Sequence, residues 1–310
     1  MKLASYRVDG RYSYGVVTEG GLVDAPTALP DGPSTLLEAV RQGSPALDKL
    51  RTLGEARPDL SMDDVSLTAP ISCPPKLLGI AVNYVEHHRE FDRGHDLPDD
   101  PSNTTTPRPF LMPPTAVANP GDEIPWPTCS EQIDYEVELA VVIGRPARNL
   151  APDEVDDVIA GFTIANDISA RSMTHGAGRS PRPKDDFFDW LHGKWCDGFC
   201  PMGPVLVTPD QIGDWQKLAI SLDVNGRTRQ DACTDQMIFS VRKLVAFCSR
   251  LMTLTPGDVI ATGTPSGVGM PTGELLQPGD TITCRIEGIG EMTNTMGPRP
   301  KRFYTPCLRD

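Results

Sequence analysis

The chain has 310 residues and carries 29 Lys+Arg against 42 Asp+Glu, a formal charge of −13. That balance excludes a general nucleic-acid face, because phosphate binding needs clustered basic residues; a small anionic substrate stays compatible if a local cation reverses the field. No apolar run approaches a membrane span and no apolar core follows Met1, so a soluble cytoplasmic protein is expected, without membrane or nucleic-acid partners.

The first 25 residues read as short strands turned at Asp9-Gly10 and Gly20-Gly21. Thr35 with Glu38 forms a capping box, predicting a short helix up to Gly43. Residues 44–70 are polar and Pro-bearing and read as a link, so the chain divides into a small N-terminal domain, 1–70, and a main domain, 71–310. Lys76 to Val82 is a buried-strand candidate, and Glu86 to Thr106 reads as a polar, mobile loop. Residues 136–143 form the strongest strand, followed by a short acidic helix over 152–158 and a strand over 159–167. Ile220, Leu222 and Val224 alternate with Ser221 and Asp223, and Asn225-Gly226 then turns a hairpin. Ser240 caps a helix with an apolar stripe of Val241, Leu244, Val245, Cys248 and Leu251. Strands at 258–262 and 281–286 follow. Strands dominate, which points to a mixed, β-rich α+β sandwich or roll rather than a doubly wound sheet.

The eight cysteines are scattered. Cys196 and Cys200 alone sit close in sequence, with no second pair, which argues against a structural zinc site. A disulfide framework is not expected in a chain of this size without a signal peptide.

Two features carry chemistry. Glu136 and Glu138 are two apart, so a strand projects both carboxylates to one side. Asp167, in Asn166-Asp167, could add a third oxygen. An all-carboxylate set suits Mg2+ or Mn2+, with Ca2+ a weaker fit. Taken alone, an E-x-E pair is also what the solvated face of an edge strand carries. His87 and Glu90 lie three apart, and one helical turn would set them side by side, with the carboxylate orienting the ring for base chemistry.

These residues recur in a longer series: 79–84 with His87 and Glu90; 134–139; 166–171; Gly193-Lys194-Trp195; Gly203-Pro204; Val224-Asn225-Gly226; and 256–269, ending in a T-G-T-P-x-G-V-G loop. In order and spacing, over about residues 71–295, the series resembles the fumarylacetoacetate hydrolase family. The resemblance implies the family's mixed β-sandwich roll, a Mg2+ or Mn2+ site on Glu136, Glu138 and Asp167, and a homodimer. It also implies a lid whose His87 and Glu90 activate water, with Lys194 near the metal and Thr264 in the active-site loop. Tyr84, Arg171 and Gly263 fall in matched blocks and are assigned to substrate binding.

The implied reaction is metal-dependent hydrolysis of a C–C bond in a 1,3-dicarbonyl or acylpyruvate-like substrate, through an enolate the metal stabilises. On the same core, 2-oxo acid decarboxylation, hydration of 2-oxo-4-enoates or keto–enol isomerisation are alternatives, and a metal-retaining binding protein is the non-catalytic one. The chain departs from the family at Met112, where the F-x-K-P block carries lysine, and at Thr174, where glutamine is frequent. It also carries a polar insert over 92–109 and an extended segment over 172–189. His88, His95, His175 and His192 read as surface or loop histidines, and Trp195 and Phe199 as core.

Overall fold

The computed structural model describes residues 1–91 and 97–306. Its largest sheet runs, strand beside strand, through Gly21–Asp24, Arg11–Thr18, Lys2–Val8, Cys200–Val207, Ile159–Asn166, Val137–Ile143, Val259–Ala261, Leu77–Ala81 and Arg108–Met112. A five-stranded sheet orders Arg227–Cys233, Ala219–Val224, Thr281–Ile286, Gly290–Met296 and Glu123–Ile124. Pairing is mixed: Val259–Ala261 runs parallel to Leu77–Ala81, and Val137–Ile143 antiparallel to both its neighbours. This is the mixed β-rich roll that the strand-dominated pattern predicts.

The Val137–Ile143 strand shows why its sequence is a nearly continuous apolar run. Leu139, Val141 and Ile143 share one core with Ile220, Leu222 and Ile282 of the five-stranded sheet. Ala140 and Val142 share the other with Leu36, Val40 and Leu50. A strand buried on both faces has no solvent side to alternate toward. Glu136 and Glu138 have the parity of Ala140 and Val142, so the two carboxylates stand at one end of an otherwise apolar row.

The N-terminal residues do not form a sheet of their own. Lys2–Val8 pairs with Cys200–Val207 and so extends the main sheet. Asp9 and Asn225 both take positive φ (49° and 51°), followed by glycine, as the predicted tight hairpins require. The predicted helix is found at Leu36–Gln42; Thr35 accepts from the Glu38 amide, but the Glu38 carboxylate returns to Ser34 rather than Thr35.

Several expectations need correction. Residues 44–70 are not a bare link: Ser44–Arg51 is a helix with Pro45 in its first turn, burying Ala46 and Leu50. The acidic helix over 152–158 is two 3-10 turns, Pro152–Glu154 and Asp156–Val158. Within the expected loop, Val85–Phe91 and Pro101–Thr104 are helical. Leu251, expected on the apolar stripe of its helix, and Trp195, expected in the core, are 55% and 44% exposed, whereas Phe199 is fully buried. Cys129 and Cys196, 67 positions apart, bring their sulfurs to 3.7 Å. No helix among the described residues is long and apolar enough to cross a membrane.

Candidate active site

The carboxylates meet because two strand ends meet. Val137 is in register with Asn166, the Asp167 amide donates to the Glu136 carbonyl at 2.9 Å, and the Asn166 side chain accepts from the Glu136 amide at 2.9 Å. This brings carboxylate oxygens of Glu136, Glu138 and Asp167 within 4.8 Å of one another, all buried.

Cations and amides hold the group. Lys194 Nζ donates to Glu136 Oε2 at 2.9 Å and to Asp167 Oδ2 at 2.7 Å. Arg171 donates to Glu136 Oε1 at 2.5 Å and to Asp134 Oδ2 at 2.9 Å. The Gly263 amide donates to Glu138 Oε2 at 2.7 Å. Asp167 Oδ1 is buried with no hydrogen-bond partner among the described residues. Such an atom is costly unless something else meets it.

The electrostatics divide the three acids. Burial pushes Glu136 up, but Lys194 and Arg171 outweigh it and hold the carboxylate at about 2. Glu138 is raised well above the usual carboxylate range, by burial first and then by Asp167 and Glu136. Asp167 is brought up to about 6 by burial, which Lys194 offsets only in part, and by repulsion from Glu136. Lys194 is raised, because the two acids outweigh its own burial. Four acids, Asp134 among them, share two cations, so full ionisation would leave negative charge in excess. An all-oxygen donor set, an unmet buried oxygen and this shortage of positive charge fit a hard divalent cation held by Glu136, Glu138 and Asp167.

His87 lies in the Val85–Phe91 helix, 6% exposed, with Nδ1 3.0 Å from Glu90 Oε2. Glu90 Oε1 accepts from the Gly267 amide at 2.7 Å, tying the helix to the glycine-rich loop. The Asn83 side chain anchors the helix start, accepting from the Phe239 amide and donating to the Phe239 and Thr262 carbonyls. The Thr264 hydroxyl donates to the Val137 carbonyl at 2.9 Å and accepts from Gln230 Nε2 at 2.8 Å.

A cavity of about 880 Å³ joins these groups: His87, Glu136, Asp167, Arg171, Lys194 and Thr264 line it, with Phe91, Phe110, Phe187, Trp190 and Arg108 on its other walls. Glu138 and Gly263 stand behind the lining. Tyr84 is 1% exposed within the core, and its hydroxyl has no partner among the described residues. His95 and residues 92–96 lie outside the described residues.

Three residues that hold the site were not singled out from sequence. Asp134, the first residue of the D-x-E-x-E run, carries Arg171 and accepts from the amides of Gly269 and Met270. Gln230 bonds Val137, Thr264 and Pro265, and Asn83 fixes the His87 helix. Asp134 and Asn83 stand inside the matched blocks, which was their only sequence signal.

Comparison with known proteins finds relatives of the same fold. The family model described as fumarylacetoacetate (FAA) hydrolase C-terminal matches residues 76–297. The mitochondrial oxaloacetate tautomerase FAHD2A of Bos taurus is 36% identical over 278 residues, covering 89% of this chain and 83% of the relative. A fumarylacetoacetate hydrolase structure from Exiguobacterium antarcticum is 33% identical, with a TM-score of 0.77 over 96% of this chain and 100% of that one. Maleylpyruvate hydrolase from Sphingobium sp. SYK-6, in complex with manganese(II) and pyruvate, is 27% identical, with a TM-score of 0.76 over 97% of this chain and 100% of that one.

Proposed function

The chain belongs to the fumarylacetoacetate hydrolase family, and from that premise we propose that it hydrolyses a carbon–carbon bond in an acylpyruvate-like 2-oxo acid or related 1,3-dicarbonyl. The observation that carries this reading is the His87–Glu90 pair, 3.0 Å apart, with His87 on the wall of the cavity that Lys194, Glu136 and Asp167 also line. That juxtaposition puts a base and a cation in one cavity.

A Mg2+ or Mn2+ ion on Glu136, Glu138 and Asp167 would supply Lewis acidity toward the substrate's carbonyl and carboxylate oxygens; the manganese and pyruvate in the maleylpyruvate hydrolase support both the ion class and the 2-oxo acid. The protein's own groups do the rest. Glu90 takes the Nδ1 proton of His87 as a hydrogen bond, leaving Nε2 to accept a proton from water. That water adds to the acyl carbon. The bond between this carbon and the methylene then breaks, its electron pair passing into the 2-oxo fragment as an enolate. The acyl fragment leaves as a carboxylic acid. Lys194 places positive charge beside the developing enolate oxygen. Protonated His87 returns its proton to the enolate carbon, so protons and electrons balance. Arg171, engaged by Asp134 and Glu136, acts as a positioning residue; Thr264 lies on the cavity wall against the substrate, and Gly263 behind it holds Glu138. Tyr84 supports the His87 helix from the core. We also propose a homodimer, supported by the exposed Phe187, Phe188 and Trp195; a sedimenting mass equal to one chain would end that idea.

A second reading is enol–keto tautomerisation, favoured by the names of the curated relatives at 36–37% identity over 89% of this chain. His87 would then move a proton between carbon and oxygen with no bond cleavage. The 880 Å³ cavity favours the hydrolase, being near the upper end of the range for drug-sized ligands and roomy for a four-carbon acid. The deciding experiment supplies acylpyruvates and enol-oxaloacetate with Mg2+, Mn2+ or EDTA, and identifies products by mass spectrometry. Two metal-dependent fragments establish hydrolysis. Loss of enol absorbance at unchanged mass establishes the tautomerase and overturns the first reading.

A further inference from the structure

At the wall of the cavity, which Asp189 lines, stands a second group of ligating side chains that the reaction above does not use. The helix Asp185–His192 carries Asp189 and His192 three residues apart, on one face. His175 approaches them from the 3-10 turn Thr174–Gly176. One ligand atom from each of the three lies within 4.8 Å of the other two. The two imidazole rings meet edge to face at 5.6 Å between centroids, and His175 Nε2 is 3.1 Å from Asp189 Oδ1. All three are partly buried, so an ion could enter and still be shielded on one side.

We propose that His175, Asp189 and His192 form a second metal site, selective for an imidazole-preferring first-row ion of the Zn2+, Co2+ or Ni2+ class. Two imidazole nitrogens and one carboxylate oxygen are a three-ligand set of the kind such ions accept, with a fourth position left to water. Glu136, Glu138 and Asp167 offer oxygen alone and suit Mg2+ or Mn2+. The two sites would therefore sort ions by donor chemistry.

Arg179 is the competing partner, since its guanidinium forks onto Asp189 with two bonds of 2.7 Å. It does not close the site. Arg179 Nε is also 3.3 Å from Asp185 Oδ2, so a second carboxylate stands ready to keep the guanidinium when Asp189 turns to an ion. A carboxylate has about four lone-pair directions, enough to serve an arginine and a metal together. Asp189 and Trp190 line the active cavity, so an ion here would fasten the 174–176 turn to the 185–192 helix and fix part of the cavity wall.

The test is a Co2+ titration of the purified full chain, followed by calorimetry and visible absorption. Wild type should take two equivalents, and the His175→Ala/His192→Ala variant one. Glu136→Gln/Glu138→Gln should also take one, retaining the equivalent whose spectrum reports nitrogen ligation. His192→Asn, which keeps a polar side chain of similar size, should lose the same equivalent, and circular dichroism should confirm each variant's fold. Two equivalents in the folded double-histidine variant, or a single equivalent in wild type that the carboxylate variant abolishes, would overturn the proposal. Both readouts are independent of turnover, so failure of the proposed reaction would leave this site standing.

Discussion

Lys194 Nζ donates to one oxygen of Asp167 at 2.7 Å, while the other oxygen of the same carboxylate is buried with no hydrogen-bond partner among the described residues. The lysine satisfies half of the acid and leaves the other half without a partner in a cluster where Glu136 and Glu138 lie within 4.8 Å. The same ammonium group reaches Glu136 at 2.9 Å. One cation therefore ties together the ends of two strands, Val137–Ile143 and Ile159–Asn166, whose acids would otherwise repel.

Lys194→Met should leave Glu136 and Asp167 buried with one fewer cation. Removing one partner of a buried pair typically costs about 3–5 kcal/mol. Urea unfolding in EDTA should show a loss of that order, and Mn2+ should restore part of it, because a divalent ion supplies the missing positive charge. Equal stability of variant and wild type in EDTA would mean that the acids are not charged in the folded protein.

Metal stabilisation should grow with pH. Asp167 titrates at about 6 in the folded chain, and Glu138 is raised well above the usual range, while both unfold to ordinary carboxylates. An acid whose folded pKa is raised withdraws stability as pH rises from its unfolded value through its folded one. The metal-free protein should thus lose stability between about pH 4 and pH 6 and beyond. Glu136, held at about 2, contributes in the opposite sense, but its change is complete below about pH 5. A bound ion removes the repulsion, so the melting increment from saturating Mn2+ should be larger at pH 7.5 than at pH 5. Identical increments at both would contradict the raised acids.

His87→Ala should lower turnover on the preferred acylpyruvate by about 10²–10⁴-fold, the usual contribution of a general base, with Mn2+ affinity unchanged by calorimetry. Glu90→Gln offers one acceptor oxygen to two donors, the Nδ1 proton of His87 and the Gly267 amide, so it either frees the loop or turns its NH2 to Nδ1 and reverses the ring's tautomer; turnover should fall while Mn2+ affinity holds. Parallel loss of turnover and metal affinity in the alanine variant would reassign His87 to the metal site.

Much of this site is legible from local chemistry. Glu136 and Glu138 share a side because a strand alternates, and His87 meets Glu90 because a helix turns in that distance. Asn225-Gly226 and the Ser240 cap are equally local. What the sequence hides is decided at long range. Gln230 reaches Val137 across 93 positions, and Asn83 reaches Phe239 across 156, so nothing near either residue announces its partner. The pairing of Lys2–Val8 with Cys200–Val207, which joins the first residues to the main sheet, is equally invisible. Ser44–Arg51 is a different case. Its Pro45 was a helix-start signal, but its two buried residues, Ala46 and Leu50, make too short a stripe to outweigh the polar residues around them.

Gly263 offers the sharpest test of how the backbone supports the carboxylates. Its φ is +96°, and a Cβ there would stand 2.6 Å from Asn83 Cβ, while its amide holds Glu138 at 2.7 Å. Gly263→Ala should cost about 1–2 kcal/mol from backbone strain alone, and displacing the amide should weaken Mn2+ binding by about 10–100-fold, the range for lost support of a ligand. Gly226→Ala is the matched control: its φ is +74°, and nothing lies within 4 Å of the added methyl. That variant should lose the strain part alone, less than Gly263→Ala with its 2.6 Å contact, and keep its metal affinity. If both variants weaken Mn2+ alike, the loss belongs to general destabilisation; if only Gly263→Ala does, the amide of Gly263 is part of what holds Glu138 in place.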